Sequence, residues 1–205
     1  MSLLDPSPDP SPDPMPELAP ALTFDELERT ALACTKCPLA ATRTNVVFGV
    51  GDPHADLMFV GEGPGEQEDL RGEPFVGRAG QLLTRLVEGI GLTRAEVYIA
   101  NVVKCRPPGN RDPLPLEIES CRPYLERQLE LVDPRVVVTL GNFATKLLLA
   151  TKDGITKIRG QEFAFGNGAV LIPVLHPAAV LRNGGAALAQ SRADFVTIKR
   201  ALARS

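Results

Sequence analysis

The sequence predicts an α/β fold, a single domain with a central four-stranded, mainly parallel sheet flanked by helices. Three observations carry that expectation. Four short apolar runs rich in β-branched residues, at 57–60, 97–103, 135–140 and 170–175, read as buried strands. Helical patterns at 80–88, 116–131 and 143–149 separate them, and a last helix covers 186–203. With 205 residues, 44% of them hydrophobic, the chain can bury one sizeable core and is short for two full domains. Strands that alternate with helices pair in parallel through right-handed crossovers, which places helices on both faces of one sheet.

The remaining elements flank this core. Thr23 and Glu26 have capping-box spacing, so a helix starts there, runs to about Ala33 and delivers Cys34. Gln161 to Phe165 is expected to add an edge hairpin with the strand at Ala169. Residues 5–16, DPSPDPSPDPMP, alternate Pro with Asp or Ser and cannot bury apolar surface. Residues 1–22 are therefore read as a disordered acidic tail and 23–205 as the folded domain. No apolar run is long enough to span a membrane, and the start MSLLDPSPDP lacks the basic and apolar regions of a signal peptide. The expectation is a soluble, cytoplasmic protein with no membrane partner.

A formal net charge of −3 speaks at first against nucleic acid, because phosphate binding needs a basic footprint. Residues 1–20, however, hold Asp5, Asp9, Asp13 and Glu17 and no Lys or Arg, so without these four charges the rest nets +1. A near-neutral body can carry a local basic rim.

In an open parallel sheet, ligands bind at the carboxyl ends of the strands, and the unusual residues collect there. Gly61-Glu62-Gly63-Pro64-Gly65 follows the first predicted strand, Asn101 comes late in the second, Gly141-Asn142 follows the third and His176-Pro177 the fourth. The turn at Gly61–Asp69 lets a ligand approach the backbone, whose N–H groups can face an anion. It has neither the Lys-Ser/Thr ending of a P-loop nor the third glycine of a dinucleotide fingerprint, and both are rejected. A surface turn of solvated acids is the plain alternative. His54 lies in the Gly51-Asp52-Pro53 turn and reads as a surface residue.

Cys34-Thr35-Lys36-Cys37, then Cys105 and Cys121, use every cysteine of the chain. In a reducing compartment such thiols are ligands, nucleophiles or core residues rather than disulfides. A pair separated by two residues reaches one metal from a single turn, and two distant thiolates complete a four-sulfur shell. The alternative is that Cys105 and Cys121 are core thiols. Chemistry alone does not separate zinc from an iron-sulfur cluster, and the spacing slightly favours zinc.

Taken in order, Gly61-Glu62-Gly63-Pro64-Gly65, the run from Pro74 to Leu83 (PFVGRAGQLL), Asn101 to Pro108 (NVVKCRPP) and His176-Pro177-Ala178, together with the four cysteines, resemble the iron-sulfur uracil-DNA glycosylases known as family four. The resemblance runs from about Phe24 to the C-terminus. It implies a monofunctional DNA-repair glycosylase of base excision repair, a monomer that flips uracil out of single- or double-stranded DNA, hydrolyses its N-glycosidic bond and leaves an abasic site. It further implies a structural [4Fe-4S] cluster on Cys34, Cys37, Cys105 and Cys121. Phe75 matches the aromatic platform for the flipped base, Asn101 the residue that reads the uracil edge, and His176 the donor to uracil O2. Where better-known relatives carry a water-positioning aspartate, this chain has Gly63, so Glu62 becomes the candidate for orienting water. Glu68 is a candidate for closing the pocket near uracil C5, or one more exposed acid. The segment His176 to Gly184 resembles the loop that enters the duplex, with Leu181 or Arg182 filling the gap, and Arg182, Lys104, Arg106 and Arg111 are candidate phosphate contacts. The rivals are a metal-stabilised binding module without activity, and a zinc protein acting on free nucleotides.

Overall fold

Alternating side chains decide how this chain layers. A computed structural model describes residues 23–204, and the proposed tail at 1–22 lies outside the described residues. Among the described residues, β1 (Val50–Gly51), β2 (Leu57–Gly61), β3 (Tyr98–Asn101), β4 (Val136–Leu140), β5 (Phe163–Phe165) and β6 (Ala169–Val174) form one sheet in the order β1-β3-β2-β4-β6-β5. The four apolar runs are its central, mutually parallel strands. Leu57, Phe59, Ile99, Val138 and Ile172 point to one face, Met58, Val60, Tyr98, Ala100, Val137 and Leu171 to the other, as period-two strands buried on both sides require. Each fully buried Val, Leu, Ile, Phe or Met among them contributes roughly 1.5–3 kcal/mol.

Helices cover both faces. Leu83 and Val87 of α3 (Arg78–Gly89) and Phe195 and Ile198 of the C-terminal helix (Gly185–Leu202) close the first. Leu125 of α4 (Pro115–Val132) and Ala144 of α5 (Asn142–Leu149) close the second. There α1 (Phe24–Leu32) docks through the edge of Phe24 against Phe48 and Tyr98, at ring-centroid distances of 5.6 and 5.4 Å. The expected Thr23–Glu26 capping box starts that helix.

The sheet is wider than the four strands expected. It gains an antiparallel edge on each side: β5, the anticipated hairpin, pairs with β6, and the short β1 pairs with β3. Two-residue β1 contains Gly51 and carries too little apolar pattern to register as a strand in sequence. Three short helices also appear, α2 (Glu66–Arg71), α6 (Ile155–Ile158) and α7 (Pro177–Asn183), so the C-terminal helix is α8. The segment after His176, expected as a loop, is mostly α7. Pro177 pre-sets its first turn, and the His176 side chain caps it by accepting from Ala178 N–H.

The strand order opens a crevice. From β2 the chain moves outward to β3, then returns past β2 to β4 and β6. The carboxyl ends of the adjacent β2 and β4 thus form a topological switch point, where the segments leaving the two strands diverge.

Candidate active site

That crevice is a cavity of about 820 Å³. Glu62, Gly63, Glu68, Phe75, Asn101, His176 and Arg182 all line it. Leu181 does not; it is exposed on the neighbouring face of α7.

Asn101 closes β3 at the floor of the cavity and is 1% exposed. Its Oδ1 has no hydrogen-bond partner among the described residues. An unpaired buried carbonyl costs about 1–3 kcal/mol, so this atom is poised for a donor from outside the chain. Gly61, the register neighbour of Asn101 on β2, makes room: a Cβ there would overlap Asn101 Oδ1 and come within 2.8 Å of the Phe75 ring.

Phe75 faces the cavity with its ring centroid 5.8 Å from that of His176. Its backbone is left-handed at φ 54°, a conformation costing an ordinary residue about 1–3 kcal/mol. The surroundings hold it there. Arg94 donates to the carbonyls of Pro74, at 2.8 Å, and Phe75, at 3.3 Å. Glu68 Oε1 accepts from the N–H groups of Val76 and Gly77, both at 3.0 Å. Glu68 is therefore neither a free surface acid nor only a wall of the pocket, since its carboxylate braces the loop that carries Phe75. Gly80 of α3 completes the support, because any Cβ there would fall on the Phe75 carbonyl.

His176 accepts from Ala178 N–H through Nδ1 at 3.1 Å, which leaves the ring proton on Nε2. Burial, with the Arg182 charge adding to it, lowers the imidazole to about 4. The ring is thus a neutral Nε2–H donor at ordinary pH. Glu62 is raised above the ordinary carboxylate range, first by burial and then by nearby Asp112, so it is a stronger base than a surface acid.

One of the expected phosphate contacts is corrected. Lys104 is 2% exposed and donates to the Asn101 carbonyl at 2.8 Å and to Gln128 Oε1, so it cannot reach DNA. Arg111 lines the cavity but is bound bidentately by Glu117, at 2.6 and 2.9 Å. Arg106 donates to Asn110 Oδ1 at 2.7 Å. Lys146 of α5 is a further cation exposed at the cavity wall, missed in sequence. It lies one helical turn beyond Asn142 on the same face, and that spacing after a strand end was the available signal.

The four cysteines line a second, much smaller pocket, walled also by Arg43, Lys104 and Tyr124. Tyr124 Oη is buried there without a partner among the described residues, and Arg43 donates to Cys105 Sγ at 3.4 Å. Among the described residues no three His, Cys, Asp or Glu side chains converge as donors to a single ion. Four thiols lining one pocket make an all-sulfur donor set.

Residues 48–203 match the model of the uracil DNA glycosylase superfamily. The chain is 48% identical over 166 residues to the type-4 uracil-DNA glycosylase of Archaeoglobus fulgidus, covering 78% of this chain and 83% of that one. It is 50% identical over 151 residues to its counterpart from Thermotoga maritima, covering 73% and 79% respectively. This chain belongs to the type-4 uracil-DNA glycosylases. A type-5 uracil-DNA glycosylase from Thermus thermophilus is more distant, at 34% identity over 154 residues, covering 60% of this chain and 70% of that one. A glycosylase of this kind is a hydrolase of N-glycosyl bonds. No helix among the described residues is long and apolar enough to cross a membrane.

Proposed function

We propose that this glycosylase excises uracil from DNA by flipping the base into the switch-point cavity, where Phe75 stacks on it, Asn101 reads its edge, and Glu62 and His176 act on the bond. The buried, unpartnered Asn101 Oδ1 carries this reading. An amide that accepts from N3–H and donates to O4 fits uracil, whereas cytosine presents an acceptor at N3 and a donor at N4. Stacking on Phe75 would contribute roughly 1–3 kcal/mol toward the unstacking cost of flipping.

As the glycosidic bond breaks, negative charge develops on the leaving uracil and positive charge on the sugar. A neutral Nε2–H of His176 donates to O2 without forming a proton-sharing cation, and backbone N–H groups of the Glu62–Gly65 turn assist as fixed donors. Glu62 orients water toward the sugar; Gly63 carries no side chain that competes for that space. Glu68 contributes by holding the Phe75 loop against the pocket wall. Leu181, exposed on α7 beside the cavity, fills the gap left by the flipped base, with Arg182 contacting phosphate.

Cys34, Cys37, Cys105 and Cys121 would hold a [4Fe-4S] cluster, which when bound supplies a structural cross-link between the segment after α1, the loop after β3 and α4. Burial pushes the Cys121 thiol up to about 11, so the thiolates need compensating positive charge. We read residues 23–205 as one domain working as a cytoplasmic monomer on single- or double-stranded DNA that contains uracil.

The test is incubation of the purified protein with a labelled oligonucleotide carrying one uracil, followed by alkali. Scission at uracil, with thymine and cytosine controls intact, is expected. An intact uracil strand from folded, iron-containing protein would overturn the reading.

A further inference from the structure

The Phe75 loop is held by more than the pocket itself. We propose that Arg94, which lies outside the cavity, is a positioning residue that sets the Phe75 stacking platform by gripping the carbonyls of Pro74 and Phe75. The proposal rests on the reading of Phe75 as the surface on which uracil stacks.

Four consecutive residues are fixed from two directions. The carbonyls of Pro74 and Phe75 are taken by the Arg94 guanidinium, at 2.8 and 3.3 Å, and the N–H groups of Val76 and Gly77 by Glu68, both at 3.0 Å. Between the two grips Phe75 holds its left-handed φ of 54°. A planar guanidinium with several fixed N–H groups can hold two neighbouring carbonyls at once, which defines the turn of the peptide between them. Arg94 is itself anchored. Glu96 accepts from both the N–H and the hydroxyl of Thr93 at 2.8 Å, capping the short turn that carries Arg94, and Glu73 pairs with the guanidinium at 3.4 Å. If the Arg94 grip were lost, the Phe75 carbonyl would keep only its packing against Gly80, the loop would relax toward negative φ more readily, and the ring would shift from its place beside His176.

Arg94 separates positioning from contact in a way that Glu68 cannot. Glu68 lines the cavity, so its replacement alters the pocket directly; Arg94 is absent from the lining. A change at Arg94 therefore reaches the base only through the loop.

The experiment compares Arg94→Met, Arg94→Lys, Phe75→Ala and the Arg94→Met/Phe75→Ala double variant of the full, cluster-loaded chain. Inhibition by free uracil, KM and kcat on a single-uracil oligonucleotide, and Tm are measured for each. Arg94→Met should weaken free-uracil inhibition and raise KM by about tenfold, kcat changing less, in the direction of Phe75→Ala. Arg94→Lys, which keeps the charge and donors but not the planar fork, should restore the inhibition only in part, and the double variant should be no worse than Phe75→Ala. A purely structural role would lower Tm and the active fraction while leaving uracil inhibition and KM unchanged, and that result would overturn the proposal. Full uracil inhibition in Arg94→Met beside lost inhibition in Phe75→Ala would also overturn it and leave the stacking role standing. An unaffected Phe75→Ala would overturn both. Should Arg94→Met fail to fold, Arg94→Gln, able to hold one carbonyl, takes its place: intermediate inhibition is expected, and wild-type inhibition would overturn the proposal.

Discussion

The two most informative residues of the pocket are polar and held differently. Asn101 is fixed by β3 and leaves its Oδ1 for the base, so Asn101→Asp replaces a donor–acceptor pair by a carboxylate that cannot donate to O4. Discrimination of uracil over cytosine should fall by about tenfold or more in single-turnover excision, and unchanged selectivity would remove Asn101 from the reading role. His176 is held neutral, with its imidazole lowered to about 4 from an ordinary 6.5. Between those values the unfolded chain binds the extra proton and the folded chain does not, so stability falls as pH drops through that window. The loss attributable to His176 should reach at most about 3 kcal/mol near pH 4, and His176→Asn should flatten that part of a denaturation-versus-pH curve. Because His176 needs no deprotonation above pH 4, an acid limb in kcat belongs to Glu62, whose raised carboxyl must ionise to orient water. Glu62→Gln should lower kcat by about 100-fold or more and abolish that limb in a pH–rate profile.

At the scale of elements, periodicity made the four central strands and the long helices legible, with ends within a residue or two of those observed. What escaped was set by contacts rather than pattern. The short β1 exists because β3 offers it a ladder, and α7 because Pro177 and the His176 side chain start a helix in a segment with no apolar period. α4 runs through Pro123, which local propensity disfavours by about 3 kcal/mol. Burial of Cys121, Tyr124, Leu125 and Gln128 along that helix supplies the compensation. The site shows the same division. Asn101 and His176 stood out because they fall at strand ends, and Phe75, in the loop between α2 and α3, was assigned through the resemblance of its motif, while the support from Arg94, Glu68 and Gly80 depends on groups that meet across the fold. That support can be tested at Gly80. Gly80→Ala adds a methyl group that falls on the Phe75 carbonyl, a backbone atom that cannot rotate aside. A loss of about 1–3 kcal/mol in chemical denaturation is expected, together with weakened uracil binding; a stable and fully active variant would show the loop to be less constrained than its geometry implies.

For the whole molecule the question is how a chain of net charge −3 engages a polyanion. Charge placement, more than charge total, answers it. Of the cations expected at the cavity mouth, Lys104 is sealed inside and Arg111 is committed to Glu117. Lys146 on α5 and Arg182 on α7 line the cavity from different elements, are exposed, and enter no ion pair with the described residues. Each phosphate neutralised on binding releases condensed counterions, so the number of such contacts is read from the salt dependence of affinity. Lys146→Ala and Arg182→Ala should each reduce the slope of log affinity against log salt by about 0.9 on duplex DNA, or about 0.7 on a single strand. Neither change should alter the choice of uracil over cytosine, because phosphate contacts carry no base information. Arg111→Ala should behave in the opposite manner, lowering Tm by stranding the buried Glu117 carboxylate while leaving the salt slope almost intact. Binding titrations over a range of salt concentrations, on uracil-containing single and double strands, measure all three. If the slope fell for Arg111→Ala and held for Lys146→Ala, the electrostatic mouth of the cavity would lie on the loop after β3 rather than between α5 and α7.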